Sequence, residues 1–252
     1  MDNEQYIKYN GNHTKVLSCD PKAEGEIRLL DSVTTICECA FQDCTKITDI
    51  NIPDNIAYIE DDAFKDCSGI CAVHIPVQLL FLGDGAFAFC YNLKDVTFEA
   101  PLPELRSGTF AGCTALEWID LPEGIREFGE KVFYNCTSLR DIQIPSTVEK
   151  IGSGAFYGCK KIKELVFPAS VKYIGEGAMN SMSALRDIVC LGKVPPETSQ
   201  QPSRKISTGT FTVPSWQSKV KLYVPEDGAD AYAAHPFWGN FEIATLVDDI
   251  NE

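Results

Sequence analysis

The chain has 252 residues, 44% of them apolar and 23% charged, the balance of a globular protein long enough to bury its own core. Its formal charge of −14 argues against nucleic-acid binding, which needs clustered Lys and Arg to neutralise phosphates, and against docking on anionic membranes. No run approaches the ~18 apolar residues of a membrane helix, and the opening MDNEQYIKYNGN lacks the basic and apolar regions of an export signal.

The first element is a predicted hairpin. QYIKYNGNHTKVLS, residues 5–18, places Asn-Gly between two alternating runs, the pairing that a tight β-turn favours. Residues 1–23 are therefore read as an N-terminal cap.

From residue 24 a 23-residue period takes over, with copies starting at 24, 47, 70, 93, 116, 139 and 162 and a partial eighth at 185. Ile27, Ile50, Val73, Val96, Ile119, Ile142, Leu165 and Ile188 fill one column; Phe fills another in six copies, with Met179 in the seventh. A fixed period with apolar columns predicts a solenoid, because one copy cannot bury its own apolar face and stacked copies can. Within each copy the alternating segment predicts a short parallel strand, ended by Pro53, Pro76, Pro122, Pro145 or Pro168. Gly83, Gly129, Gly152 and Gly175 mark a turn, and the AFxxC segment is expected to form one helical turn. The predicted fold is thus a solenoid of mainly short parallel strands with helical turns, about eight repeats over residues 24–190, capped at both ends.

AFxxC also sets Cys44, Cys67, Cys90, Cys113, Cys136 and Cys159 at the same interval. A disulfide frame, a metal array and a packing ladder are the three physical readings. Parallel side chains keep their Cβ atoms about a strand spacing apart, beyond the ~3.8 Å usual for a disulfide. Zinc needs four convergent ligands, which a straight row does not offer. The seventh member of the column is Met182, which cannot cross-link but fills an apolar gap as a thiol does. The column is read as packing. Cys19, Cys37 and Cys39 cluster near the start, where a Cys19 bond to the CEC segment would staple the first repeat. Cys71 is expected at a solvent-facing edge and Cys190 in the core.

Residues 191–252 read as an exposed Pro- and Ser-rich loop followed by a C-terminal cap. KLYVP has a strand pattern, GADAYAAH a short helix, and Phe211, Trp216, Tyr223, Tyr232, Phe237, Trp238 and Phe241 supply an aromatic plug over the core.

The pattern L-x-x-I-x-I-P-x-x-V-x-x-I-G-x-x-A-F-x-x-C-x-x over residues 24–190 resembles the BspA-like, or Treponema-type, leucine-rich-repeat family. Two departures are local: FEAPLPELRSGTF in the fourth repeat, and Leu30 where the first lacks its proline. The resemblance implies a leucine-rich-repeat solenoid and a bacterial cell-surface or secreted protein of the adhesion type, binding a protein or a glycan. The missing export signal leaves a cytoplasmic recognition scaffold as the alternative.

No hydrolase, zincin, phosphate-loop or dinucleotide pattern occurs, and no catalytic residue, cofactor or metal is assigned. Cys71 and His74 could form a dyad but lack an orienting third group. The informative surface is the outward strand face, where Glu26, Asp49, Asp95, Asp141, Glu164 and Asp187 form an acidic row interrupted by Trp118. An exposed Trp with a polar rim has the composition of an interface hot spot. Trp118, Asp95, Asp120, Asp141, His74 and Gln143 are the candidate binding residues. Val77, Leu80 and Phe81 form a second apolar candidate, or pack on the hairpin.

Overall fold

The structure, a computed structural model, describes residues 3–99, 101–199 and 219–246. A hairpin opens it, with Ile7–Tyr9 antiparallel to Lys15–Cys19. Lys15 and Val16 then pair parallel with Thr35 and Ile36, so the hairpin supplies the first rung of the solenoid.

Short parallel pairs climb one wall at a constant interval. Thr35–Ile36, Tyr58–Ile59 and Phe81–Leu82 form one run of rungs. Glu104–Leu105, Glu127–Phe128, Lys150–Ile151, Tyr173–Ile174 and Glu197–Thr198 form the next. With the hairpin this gives about nine turns, one more than the sequence period marks. The two runs are separate sheets. Between them lie Pro101 and Pro103 of the atypical fourth repeat, which have no N–H to donate to a ladder.

The second wall carries the longer strands. Glu24–Arg28 pairs with Lys46–Asn51, and Ala72–Ile75 with Asp95–Phe98. Residues 116–121 and 139–145 run past the same wall without forming strands, joined by one backbone bond, Arg140 N–H to Glu117 O at 2.9 Å. Pairing resumes with Glu164–Phe167, Asp187–Cys190, Lys221–Pro225 and Glu242–Leu246, all parallel.

The AFxxC segments close each coil with single-turn i→i−3 bonds, such as Ala40 N–H to Cys37 O and Cys44 N–H to Phe41 O, and the helical content stays minor. They are hydrogen-bonded turns; among the described residues the one α-helix is Ala229–Ala234. Phe41 N–H donates to Ala63 O, Phe64 to Ala86, Phe87 to Thr109, Phe110 to Val132, Phe133 to Ala155 and Phe156 to Ala178, at 2.8–3.0 Å. Every second donor, which a continuing α-helix would aim four residues back, is thus committed to the next turn. Cys39, Asp43, Asp62, Asp66, Lys131, Asn135 and Ser181 adopt left-handed backbone in these segments, beside Gly85, Gly108, Gly154 and Gly177.

The core is built from columns. Phe41, Phe64, Phe87, Phe110, Phe133 and Phe156 are fully buried and stack with ring centroids 5.0–6.0 Å apart. Beside them run the cysteines, all unbridged. Cys67, Cys90, Cys113, Cys136 and Cys159 each donate Sγ–H to a Phe carbonyl 26 residues earlier, at 2.9–3.2 Å. Burial pushes the Cys90 and Cys159 thiols up to about 12. Cys19 sits against Cys44, while Cys37 lies near Glu60 and Cys39 near Asp62, so the sulfur beside Cys19 is not in the CEC segment. At the far end Tyr232, Phe237, Trp238 and Phe241 are buried. Trp238 Nε1 donates to Pro196 O at 2.9 Å, and Tyr232 OH to Gly192 O at 2.9 Å. Phe211 and Trp216, and most of the Pro- and Ser-rich loop, lie outside the described residues.

Candidate functional site

Alternation along the longer strands turns every second side chain outward. Ile27, Ile50, Val73 and Val96 point into the core, so their neighbours Glu26, Asp49, Ala72 and Asp95 line the outside. Glu26 is registered with Asp49, and Ala72 with Asp95. Together with Arg28, Asn51, His74 and Thr97 they form a cleft of about 420 Å³. Its charge is mainly negative. Arg28 Nε engages Glu26 Oε1 at 2.9 Å, leaving Asp49 and Asp95 without a Lys or Arg partner among the described residues. Asp95 Oδ1 is shut off from solvent without a hydrogen-bond partner among the described residues. A buried acceptor in that state costs about 1–3 kcal/mol.

His74 stands at the rim with both ring nitrogens occupied. Nδ1 meets Thr97 Oγ1 at 2.8 Å, and Nε2 meets Glu99 Oε1 at 3.1 Å. The Cys71 thiol turns to Gly69 O at 3.5 Å. A Cys71–His74 dyad therefore has no free imidazole nitrogen to use. The other histidines have partners of their own: His13 packs against Tyr9, and His235 Nδ1 accepts from the backbone N–H of Phe237 and Trp238.

The cleft brings together two of the six residues singled out from the sequence, His74 and Asp95. The other four lie outside its lining. Trp118 is 55% exposed, and Asp120, Asp141 and Gln143 are exposed on the turns that form no strand on this wall. Arg140 pairs with Glu117 across them at 3.3 Å. The apolar candidate does not fold back on the hairpin. Leu80 is 65% exposed and Val77 50%, and the Arg106 guanidinium covers the Phe81 ring at 5.0 Å.

Sequence reading missed a groove of about 660 Å³ along the AFxxC turns, lined by Asp61, Asp62, Lys65, Asp84, Lys131 and Tyr134 among others. These positions vary from repeat to repeat, and that variation, on a rigid frame, was the available signal. No helix among the described residues is long and apolar enough to cross a membrane.

The chain is similar to several solved structures. A leucine-rich repeat protein from Eubacterium ventriosum is 22% identical, with a TM-score of 0.66 over 82% of this chain and 51% of that one. This chain thus spans about half the length of that protein. The Treponema pallidum leucine rich repeat protein is 23% identical, with a TM-score of 0.55 over 75% of this chain and 79% of its own. A leucine rich cell surface protein from Faecalibacterium prausnitzii is 19% identical, with a TM-score of 0.47 over 67% of this chain and 54% of its own. At these identities the likeness is one of fold alone. A comparison with curated proteins gave no match. The family model for the BspA type leucine rich repeat region matches residues 22–116 and 103–201, in six copies. With the columns and ladders in place, the match covers well over half of the sequence, and the chain belongs to the BspA type leucine-rich-repeat family.

Proposed function

We propose that the protein is a non-enzymatic interaction module whose outward strand face binds a protein partner, with a glycan as the lesser fit, in the cell-surface setting of an adhesion-type protein. The carrying observation is an exposed Trp118 on the same face as an acidic cleft that contains the unsatisfied Asp95 Oδ1. Ladders flank this face on both sides of Trp118, which limits the conformational entropy that binding would lose. A basic or amide-rich segment would supply the donor that Asp95 lacks while Trp118 covers apolar area at the centre of the contact.

Two measurements test this reading. Protease shaving of intact source cells should release the protein while a cytoplasmic marker survives; protection until lysis sinks the surface placement. Surface plasmon resonance against a panel of extracellular matrix proteins, with polylysine as the charge control, should yield a binder that Trp118→Ala weakens by about 30-fold. Unchanged affinity in a folded variant removes Trp118 from the contact.

One observation favours a second reading. All 11 cysteines are unbridged, as in a reducing compartment. A full count of reactive thiols in freshly lysed, denatured cells would support an intracellular scaffold; extensive oxidation would weigh against it.

A further inference from the structure

Beside the cleft, three turns in succession each deliver one metal-ligating side chain to the same point. Asp54 follows Pro53, which ends the strand Lys46–Asn51 and its extension. His74 is an outward residue of Ala72–Ile75, and Glu99 directly follows Asp95–Phe98. One ligand atom from each of the three lies within 4.8 Å of the others.

The histidine is oriented as a ligand requires. In the tautomer that donates Nδ1–H to Thr97 Oγ1, 2.8 Å away, the lone pair lies on Nε2, and a cation taking the place of the proton between Nε2 and Glu99 Oε1, 3.1 Å apart, would be bound by both. An imidazole whose other nitrogen is held by an oxygen is the usual second layer of a metal site. The carboxylates are also unusual for this surface. Glu127 is matched by Lys150 at 2.6 Å, and Glu149 by Lys172 at 2.6 Å and Arg126 at 3.2 Å. Asp54 and Glu99 have no Lys or Arg partner among the described residues, and Asp49 and Asp95 of the adjoining cleft add negative charge.

We propose that Asp54, His74 and Glu99 bind one first-row divalent transition-metal ion, with Zn²⁺ the best match. Mixed imidazole and carboxylate ligands suit zinc and its neighbours, whereas Ca²⁺ and Mg²⁺ prefer all-oxygen shells. Metal–ligand bonds of about 2.0–2.2 Å place ligand atoms roughly 3.3 Å apart in a tetrahedron. His74 and Glu99 already meet that spacing, and Asp54, exposed, reaches it by a side-chain rotation. Three protein ligands leave a fourth position open to water or to a donor from a docked partner.

The test uses the full chain stripped by a chelating resin. Titration with ZnCl₂ in a calorimeter should show one equivalent bound. His74→Ala and Glu99→Gln should each remove it, and Thr97→Val should weaken it by about tenfold. With CoCl₂ the absorption spectrum should show d–d bands that Cys71→Ser leaves unchanged. A sulfur-to-cobalt charge-transfer band, no uptake at millimolar ZnCl₂, or undiminished uptake by His74→Ala would each overturn the assignment. The altered side chains lie at the surface, and an unchanged circular dichroism spectrum separates lost ligation from lost fold. None of these readouts depends on the partner proposed above.

Discussion

The thiols of Cys19 and Cys44 converge on one acceptor, the carbonyl oxygen of Asp20, at 3.7 and 4.0 Å. Every later member of the column reaches a Phe carbonyl 26 residues back. The first member has no earlier repeat to reach, so the hairpin provides both the oxygen and a second sulfur. The contact with Cys44, followed by burial, raises the Cys19 thiol well above its ordinary range. Native alkylation with iodoacetamide, read by peptide mass spectrometry, should therefore label Cys71 first. The six column cysteines have no exposed surface and should react only on unfolding, whatever their thiolate fraction.

The phenylalanine stack concentrates core energy in a single file. Phe110 is fully buried, with its ring 5.9 Å from both Phe87 and Phe133. Phe110→Ala should cost about 3–5 kcal/mol, measured by urea denaturation. Phe89 is only half-buried, and its change to Ala should cost clearly less.

Gly152 is required for closeness between turns. A Cβ there would stand 2.5 Å from Gly129 C and 2.6 Å from Glu130 N, backbone atoms that cannot rotate away. Gly152→Ala should destabilise the protein by about 1–3 kcal/mol. Gly11 has open space around it, and Gly11→Ala should be neutral or add up to about 1 kcal/mol. Paired thermal melts decide both.

His235 carries a pH dependence of definite sign. Burial lowers its pKa from the ordinary 6.5, only partly opposed by Glu197, and its Nδ1 accepts two backbone N–H groups, which needs the neutral ring. The unfolded chain takes up the proton first as pH falls. The contribution is therefore full above about pH 6.5, is lost as pH drops through the depressed folded value, and is constant below that. Melting temperatures between pH 7.5 and 5 should fall more steeply for the native chain than for His235→Ala.

The stack was legible because its requirement is periodic. Phe41 to Phe156 and Cys44 to Cys159 must each meet their own copies, so the columns repeat in the sequence as they do in space. What AFxxC did not tell is how short its turn stays: every second donor goes to the next coil, a choice made only when neighbouring coils exist. The face was half legible. Trp118 and Asp95 are outward as the alternation requires, yet the cleft takes in Asp95 and leaves Trp118 out. Asp54 and Glu99 gave no signal, because they occupy different positions of different repeats and meet His74 only after three turns are stacked.

The bonds that join one coil to the next mostly link residues 22–26 apart, so a stretching force applied along the stack would load the turns one after another, like the coils of a spring. Near Pro101 and Pro103 the short rungs stop at Leu82 and restart at Glu104, leaving the Ala72–Ile75 and Asp95–Phe98 ladder on the other wall, the AFxxC turns and the phenylalanine file to carry the load there. Farther along, the second wall loses its ladder over residues 116–121 and 139–145 while the first keeps its rungs, so each gap on one wall is spanned by a ladder on the other and a stretched coil can rewind on the wall that held.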